Sequence, residues 1–429
     1  MRLAHLLKRV ICLRLGTKTY NMSKDNEKKL VGQPIFKQII NLLPKEKFDV
    51  LVQKISADRY YKTFTSWNQL VTMLFGILSR CDSMGEVCDG MQAMQGKLNY
   101  LGMESSPAKS TAGDGLRNRT NELFKEFYFE LLEYFTPLLS VSRIKDISFE
   151  KFFIFDSTTI RLFSDIMKGV GRNPKNDGKK KGGLKVHMMI DAHSNTSKFV
   201  KISEAKSHDK TFLKYLILPP NSMIVFDKAY NHYLQFAKWT QEKVNFVCRL
   251  KSNAVYEVQE VLFKKTLTDK EYGVMKEEHI HLKYKEDKDQ KNLCLRKVTY
   301  KDEKGRVYEF ITNNFEISNE EVTFLYKKRW DIELLFKKLK QNFQLHYFYS
   351  DTENGIRTQI WCTLIAHLLL TVLKVKTKTQ KAFSTIAALV RIHLISHLDL
   401  YWMIENCRRT YVKKTKPRNK SPILQHSLF

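Results

Sequence analysis

Hydrophobic spacing divides this chain into regions of two kinds. From about residue 33 to 140 apolar residues recur every three to four positions, in "PIFKQIINLLPKEKFDVLVQKI", "SWNQLVTMLFGILSR", "SMGEVCDGMQAMQGKLNYL" and "GDGLRNRTNELFKEFYFELLEYF". That period lays an apolar stripe along a helix. Short polar breaks separate the four stretches, and Ser66 and Ser83 stand where N-caps belong. From residue 150 the pattern becomes that of strands: "KFFIFDSTTIRLF", "GGLKVHMMIDAHSN" and "SKFVKISEAK" read as three strands in hairpin order. A helix ("HDKTFLKYLIL"), a strand ("SMIVFDKAY"), a helix ("NHYLQFAKWTQEK") and a strand ("VNFVCRL") follow. Residues 254–312 predict a separate small β block, "HIHLKY", "LCLRKVTYK" and "VYEFIT", with a tight turn at "DEKGR". Beyond it "YKKRWDIELLFKKLKQNF", "IRTQIWCTLIAHLLLTVLKV" and "KAFSTIAALVRIHLISHLDLYWMI" are helical, and a basic tail closes the sequence.

Three hairpin strands followed by strand–helix alternation predict a mixed sheet with helices packed on it, the order of a ribonuclease H-like core. The chain is therefore expected to be a multi-domain α/β protein. A basic extension (1–32) precedes an all-helical domain (33–140). The mixed-sheet core is split between 150–253 and 313–350 around a β insertion (254–312). A helical region (351–407) and a basic tail (408–429) complete it.

At 429 residues the chain exceeds one ordinary core, and 43% hydrophobic with 12% aromatic residues marks it as globular rather than disordered. Lys+Arg 73 against Asp+Glu 45 leaves a net charge of +28, so the natural partner is a polyanion, nucleic acid before membrane. The seven cysteines (12, 81, 88, 248, 294, 362 and 407) show no zinc spacing and read as reduced thiols of a cytosolic protein. "WCTLIAHLLLTVL" is too short for a membrane span and reads as a buried helix. Lys8, Arg9 and Arg14 interrupt any signal-peptide core, and the first 21 residues read as a loose extension or as a start upstream of the true one at Met22.

On a helical projection from Tyr326, Arg329, Glu333 and Lys340 fall within about 60° of one another at the edge of the apolar arc that holds Phe324, Leu325, Ile332, Leu335, Phe336, Leu339 and Phe343. By itself this is compatible with an ordinary Arg329–Glu333 surface pair. Two further carboxylates change that: Asp156 follows the apolar "FFIF" and Asp227 the apolar "MIVF", both placed where a rigid strand presents oxygens at a sheet edge. Three carboxylates without His or Cys partners favour hard cations, Mg²⁺ or Mn²⁺, and a pair of such ions suits phosphodiester attack.

Asp156 in "FDSTTI", Asp227 in "FDKAY", and Tyr326, Arg329, Glu333 and Lys340 in the spacing YxxRxxxExxxxxxK together resemble the DDE transposases of bacterial insertion sequences, specifically insertion-sequence family four with its YREK signature. The resemblance spans roughly 33–400. It implies a bacterial, cytoplasmic, nucleoid-associated transposase that binds the terminal inverted repeats of its element, cleaves double-stranded DNA there, and joins the 3′-hydroxyl to target DNA, with a hairpin intermediate in some members. It further implies a homodimer, two Mg²⁺ or Mn²⁺ ions bridged by Asp156 with Asp227 and Glu333 each completing one, and phosphate contacts from Tyr326, Arg329 and Lys340. Hairpin-forming members carry an aromatic wedge, for which Trp239 and Trp330 are candidates by residue type.

"SSPAKSTAGDGLRNRTNELF" joins two helices and places Lys109, Arg117 and Arg119 at or near the start of the second one, where a helix-turn-helix would put them into a major groove. Lys185 and His187 share one face of a strand and are further DNA-backbone candidates, although a strand histidine is more often a satisfied polar group. Ser207 or Asp209 reads as a helix cap, and "GRNPKNDGKKKGG" (171–183) as a basic hairpin loop. Two alternatives stand beside the transposase: a catalytically inactive or host-adopted DNA-binding protein, which loss of an acid would have favoured, and a plain ribonuclease H-type nuclease, which needs no end-binding helical domain.

Overall fold

The computed structural model describes residues 31–406 apart from 140–143, 145–146, 162–182, 205–208, 288, 344 and 346. The extension before residue 31, most of the basic loop at 171–183, Ser207 and the basic tail lie outside the described residues.

A nine-stranded sheet occupies the centre. β1 (Phe152–Arg161), β2 (Gly183–Asp191) and β3 (Thr196–Glu204) form the expected antiparallel hairpins. β4 (Met223–Phe226) lies parallel to β1, and β5 (Asn245–Arg249) parallel to β4. The order 3-2-1-4-5 is that of a ribonuclease H-like core. The insertion strands β6 (Tyr256–Lys264), β7 (Gly273–Glu286), β8 (Asp289–Lys301) and β9 (Val307–Thr312) do not stand apart as predicted. β9 pairs antiparallel with β5, Val247 opposite Thr312, so the insertion prolongs the core sheet and gives the β5 edge its hydrogen bonds. β6 escaped the sequence reading because it is exposed along almost its whole length and so shows no alternation. The β8–β9 turn is built as predicted: Asp302 Oδ1 accepts from the backbone N–H of Lys304 and Arg306, and Gly305 takes φ +77°.

Strand alternation sorts the side chains into two layers. Ile154 and Ile160 of β1 and Leu184, Val186, Met188 and Ile190 of β2 turn to a core shared with most of the helices. Phe153, Phe155 and Met189 turn to the other face, under Phe236 and Trp239 of a crossover helix.

The amino-terminal helices are α1 (Ile35–Ile40), α2 (Lys45–Ile55), α3 (Ser66–Ser79), α4 (Met84–Gln92), α5 (Lys109–Asn118) and α6 (Glu122–Leu139). Pro44 splits the first predicted helix in two, as a proline disfavours helical backbone at the residue before it. Ser83 caps α4 as expected, accepting from the Glu86 N–H. The α3 cap is Thr65 and not Ser66, whose hydroxyl bonds Asp58 instead. Asp209–Tyr215 is a 3-10 helix, shorter than predicted. The crossover helix is α7 (Tyr233–Gln241). The carboxyl-terminal helices are α8 (Asn319–Lys327), α9 (Trp330–Asn342), α10 (Glu353–Lys376), α11 (Phe383–His393) and α12 (Leu400–Asn406).

Helical stretches from the two ends of the chain are not separate domains. Val31, Ile35 and Phe36 donate backbone hydrogen bonds to His397, Ser396 and Leu394. Asn354 of α10 donates to the carbonyls of Leu116 and Arg119, and Trp361 packs on Tyr128 and Phe129 of α6. By length and composition α10 is apolar enough to cross a membrane, but 78% of its apolar window is buried inside the protein, which makes it the core helix of this layer. Tyr128 Oη donates to Ser197 Oγ at 2.7 Å and Arg357 to the Ile202 carbonyl at 3.1 Å, fastening the layer to β3.

Candidate active site

The last register pair of β1 and β4 is Phe155 opposite Phe226, so Asp156 and Asp227 leave that ladder as neighbours. Asp156 is not at a strand end, as the sequence suggested. β1 runs on beside β2 to Arg161, and it is the parallel partner that stops. Alternation turns Asp156, like Ile154, towards the helical layer. Asp227 caps the 3-10 turn Lys228–Tyr230.

The third acid arrives on a broken helix. α8 ends at Lys327, Lys328 and Arg329 form a turn that keeps helical backbone angles, and α9 starts at Trp330. The predicted apolar stripe survives the break, with Leu325, Ile332, Leu335, Phe336, Leu339 and Phe343 buried and Phe324 partly so. At the turn Arg329 is only 8% exposed, and its Nη1 lies 2.6 Å from Glu333 Oε1 and 3.2 Å from Asp156 Oδ2. Tyr326 Oη donates to Asp227 Oδ1 at 3.3 Å, and Lys340 Nζ to the Thr159 carbonyl of β1 at 3.0 Å. The helices thus converge on both aspartates. Arg296 of β8 steadies the arrangement from the insertion side: it pairs with Glu277 at 2.6 Å and donates to Asn319, the first residue of α8, at 2.9 Å.

Burial pushes the Asp156 carboxyl up to about 7, and the nearby Asp227 and Glu333 add to the rise; the Ser157 N–H and Arg329 oppose it. Burial works against the charge on Arg329 too, but Tyr326, Asp156 and Glu333 outweigh it and hold the guanidinium above its ordinary value. Between the unfolded carboxylate value, about 4, and about 7 the native state carries the Asp156 proton and the unfolded chain does not. Stability associated with this residue is therefore present at low pH and lost as pH rises through 7. Metal-free Asp156→Asn is expected to melt above wild type near pH ~8, with a gain that fades towards pH ~4. Melting curves in EDTA across that range check it, and a gain independent of pH refutes it.

Three carboxylates offer only oxygen donors, the set for a hard divalent cation. Among the described residues no three His, Cys, Asp or Glu side chains already stand as a ligand cage. The reason is on view: Arg329 occupies the gap between Asp156 and Glu333. The donor set fits Mg²⁺ or Mn²⁺ provided that Arg329 gives way, and the raised Asp156 is the group a cation would relieve.

Beside the acids opens a cleft of about 690 Å³, lined in part by Arg80, Asp156, Glu333, Lys337, Lys340 and Tyr347. Sequence reasoning missed Arg80, since nothing in "ILSRCDS" points across the molecule. It also read Asp209 only as a cap, whereas Asp209 accepts from Ser157 Oγ at 3.1 Å and from Lys185 Nζ at 3.0 Å.

Several predicted DNA contacts lie elsewhere. His187 is fully buried on the sheet face opposite Asp156, bonded to Ser203 Oγ at 3.0 Å and stacked on Phe212; burial holds its pKa down to about 4. Lys185 shares that face, with its ammonium on Asp209. Arg119 is 2% exposed and spends its guanidinium on the carbonyls of Ala57 and Phe64 and on Gln69 and Asp58, which makes it a core residue and not a groove reader. Lys109 and Arg117 are exposed, but on a separate helix, α5, and not at the start of the long helix α6 that follows it. Trp239 is 1% exposed among Phe226, Phe236 and Phe246 and is no wedge, while Trp330 is 57% exposed next to Arg329.

The sheet order and the carboxylates on β1, after β4 and on a following helix are those of the ribonuclease H-like class. Residues 147–369, more than half of the chain, match the family model described as "Transposase DDE domain", and the chain belongs to that family. Residues 31–104 match a second model, a domain of unknown function (DUF4372). The chain is similar to the putative transposase y4zB of Sinorhizobium fredii (29% identical, covering 44% of this chain and 52% of that protein). It is similar also to the probable transposase for insertion sequence element IS5377 of Geobacillus stearothermophilus (26%, covering 52% and 58%) and to the transposase for IS231B of Bacillus thuringiensis subsp. berliner (22%, covering 81% and 80%). The chain spans little more than half the length of the first two.

Proposed function

We propose that this protein is a DNA transposase: it binds the terminal inverted repeats of its insertion sequence as a homodimer, cleaves the strands by two-metal phosphodiester hydrolysis, and joins the 3′ ends to target DNA by transesterification in the bacterial cytoplasm. The observation that carries the reading is the joining of Asp156, Asp227 and Glu333, through Arg329 and Tyr326, at the end of β4 inside a DDE transposase domain.

Asp156, Asp227 and Glu333 would hold the divalent cations. When bound, a Mg²⁺ or Mn²⁺ pair supplies activation of the attacking hydroxyl and charge neutralisation at the leaving oxygen. The chain's own residues do the rest. Arg329, freed from its two carboxylates, and Lys340 hold backbone phosphates beside the cut, and Tyr326 keeps Asp227 oriented through its hydroxyl. The rigid strand and the buried α9 stripe fix these groups so that the scissile bond is presented in one geometry. Footprinting of the purified protein on DNA flanking its own gene tests end binding: protection confined to inverted repeats supports the reading, and uniform protection contradicts it.

The grips are separable from the acids. Replacing Arg329 or Lys340 by Ala is expected to flatten log K against log salt by about 0.9 per lost phosphate contact and to slow single-turnover cleavage. Normal values in both assays for both variants would return Arg329 and Lys340 to a purely structural role.

A further inference from the structure

Arg80 enters the catalytic cleft from the helical layer, far in sequence from the acids whose cleft it lines. Its backbone is unusual. It is the residue after the last turn of α3 and adopts the left-handed conformation (φ 63°, ψ 44°), where glycine is the ordinary choice. The Cys81 N–H closes the helix end on the Gly76 carbonyl at 2.9 Å. The corner is clamped from outside as well, because Tyr349 Oη donates to the Cys81 carbonyl at 3.0 Å. Gly76 makes room for that clamp; a Cβ there would stand 2.9 Å from the Tyr349 hydroxyl. Tyr347, two residues from Tyr349, lines the same cleft, so the Arg80 corner and one cleft wall are held as a unit. A long cationic side chain kept at a position that favours glycine, beside a clamped corner, and lining a cleft together with Asp156 of β1 and with Glu333, Lys337 and Lys340 of α9, is placed for an anion that spans the cleft.

We propose that Arg80 contacts a DNA backbone phosphate inside the catalytic cleft, so that the helical layer takes part in the cleavage site directly. This rests on the transposase reading for the identity of the substrate, and its test is built to fail separately from it. Arg80→Asn and Arg80→Gly both suit left-handed backbone and so remove the guanidinium without burdening the fold. Full-length protein in EDTA is titrated into a short fluorescent duplex of arbitrary sequence over a range of salt. Each variant is expected to lower the slope by about 0.9, one phosphate on B-form DNA, with a Tm no lower than wild type, and to nick supercoiled plasmid in Mn²⁺ at least tenfold more slowly. Unchanged slopes in both variants overturn the proposal, as does a slope change found only alongside a lowered Tm. If wild type and Asp156→Ala prove equally unable to nick while the Arg80 variants still lose slope, the transposase reading falls and the Arg80 contact stands.

Discussion

Alanine at Asp156, Asp227 or Glu333 is expected to abolish metal-dependent strand cleavage while leaving DNA binding close to wild type. Positioned divalent ions contribute several kcal/mol of transition-state stabilisation, so loss of a ligand costs on the order of 10³-fold or more. Binding affinity comes instead from cations on phosphates, which these substitutions leave in place. Asp156→Ala carries an internal control, since removing a carboxyl that burial has pushed up to about 7 should not lower the melting temperature above neutral pH. Plasmid nicking in Mn²⁺, read beside gel-shift affinity, measures both sides. Full nicking by any one of the three variants takes that residue out of the site.

The second large effect is on folding. Residues 33–140 read from sequence as a domain with its own core, and a fragment of that length would then fold alone and prefer the element's ends. The structure leads to the opposite expectation. α10 threads the amino-terminal helices, with Asn354 bonding the α5–α6 corner and Trp361 packed on α6, while α1 hangs on the carbonyls of Leu394 and Ser396 and Val31 before it on that of His397. Each large apolar side chain that loses its cover costs ~1.5–3 kcal/mol, and a few such losses exhaust the ~5–15 kcal/mol that holds a typical domain together. The 33–140 fragment should show no cooperative melting transition, and fusing residues 351–406 to it through a flexible linker should restore one. A sharp transition in the bare fragment would contradict this.

Much of the architecture lay in the chain itself because it depends on local spacing. The 3.6 period announced most of the helices, alternation and short apolar runs announced β1 to β5, and the apolar stripe of α8 and α9 is buried at every position except the partly buried Phe324 even though a turn at Lys328–Arg329 divides the two. Asp156, Asp227 and Glu333 were visible for a related reason: a lone acid after an apolar strand, or at the edge of an apolar stripe, departs from the period around it. What the period could not carry is which elements meet. A hydrophobic face records that it will be buried but not against what, so the sharing of one core by α1–α6 and α10–α12, and the prolongation of the sheet by β6–β9, belonged to tertiary structure alone. Charged residues were still less legible. Arg119 in the core, His187 under Phe212, Arg329 between two carboxylates and Arg80 at the cleft are all basic side chains in a basic sequence. Long flexible side chains take whatever partner the fold brings within reach, and only the packed chain decides what that partner is.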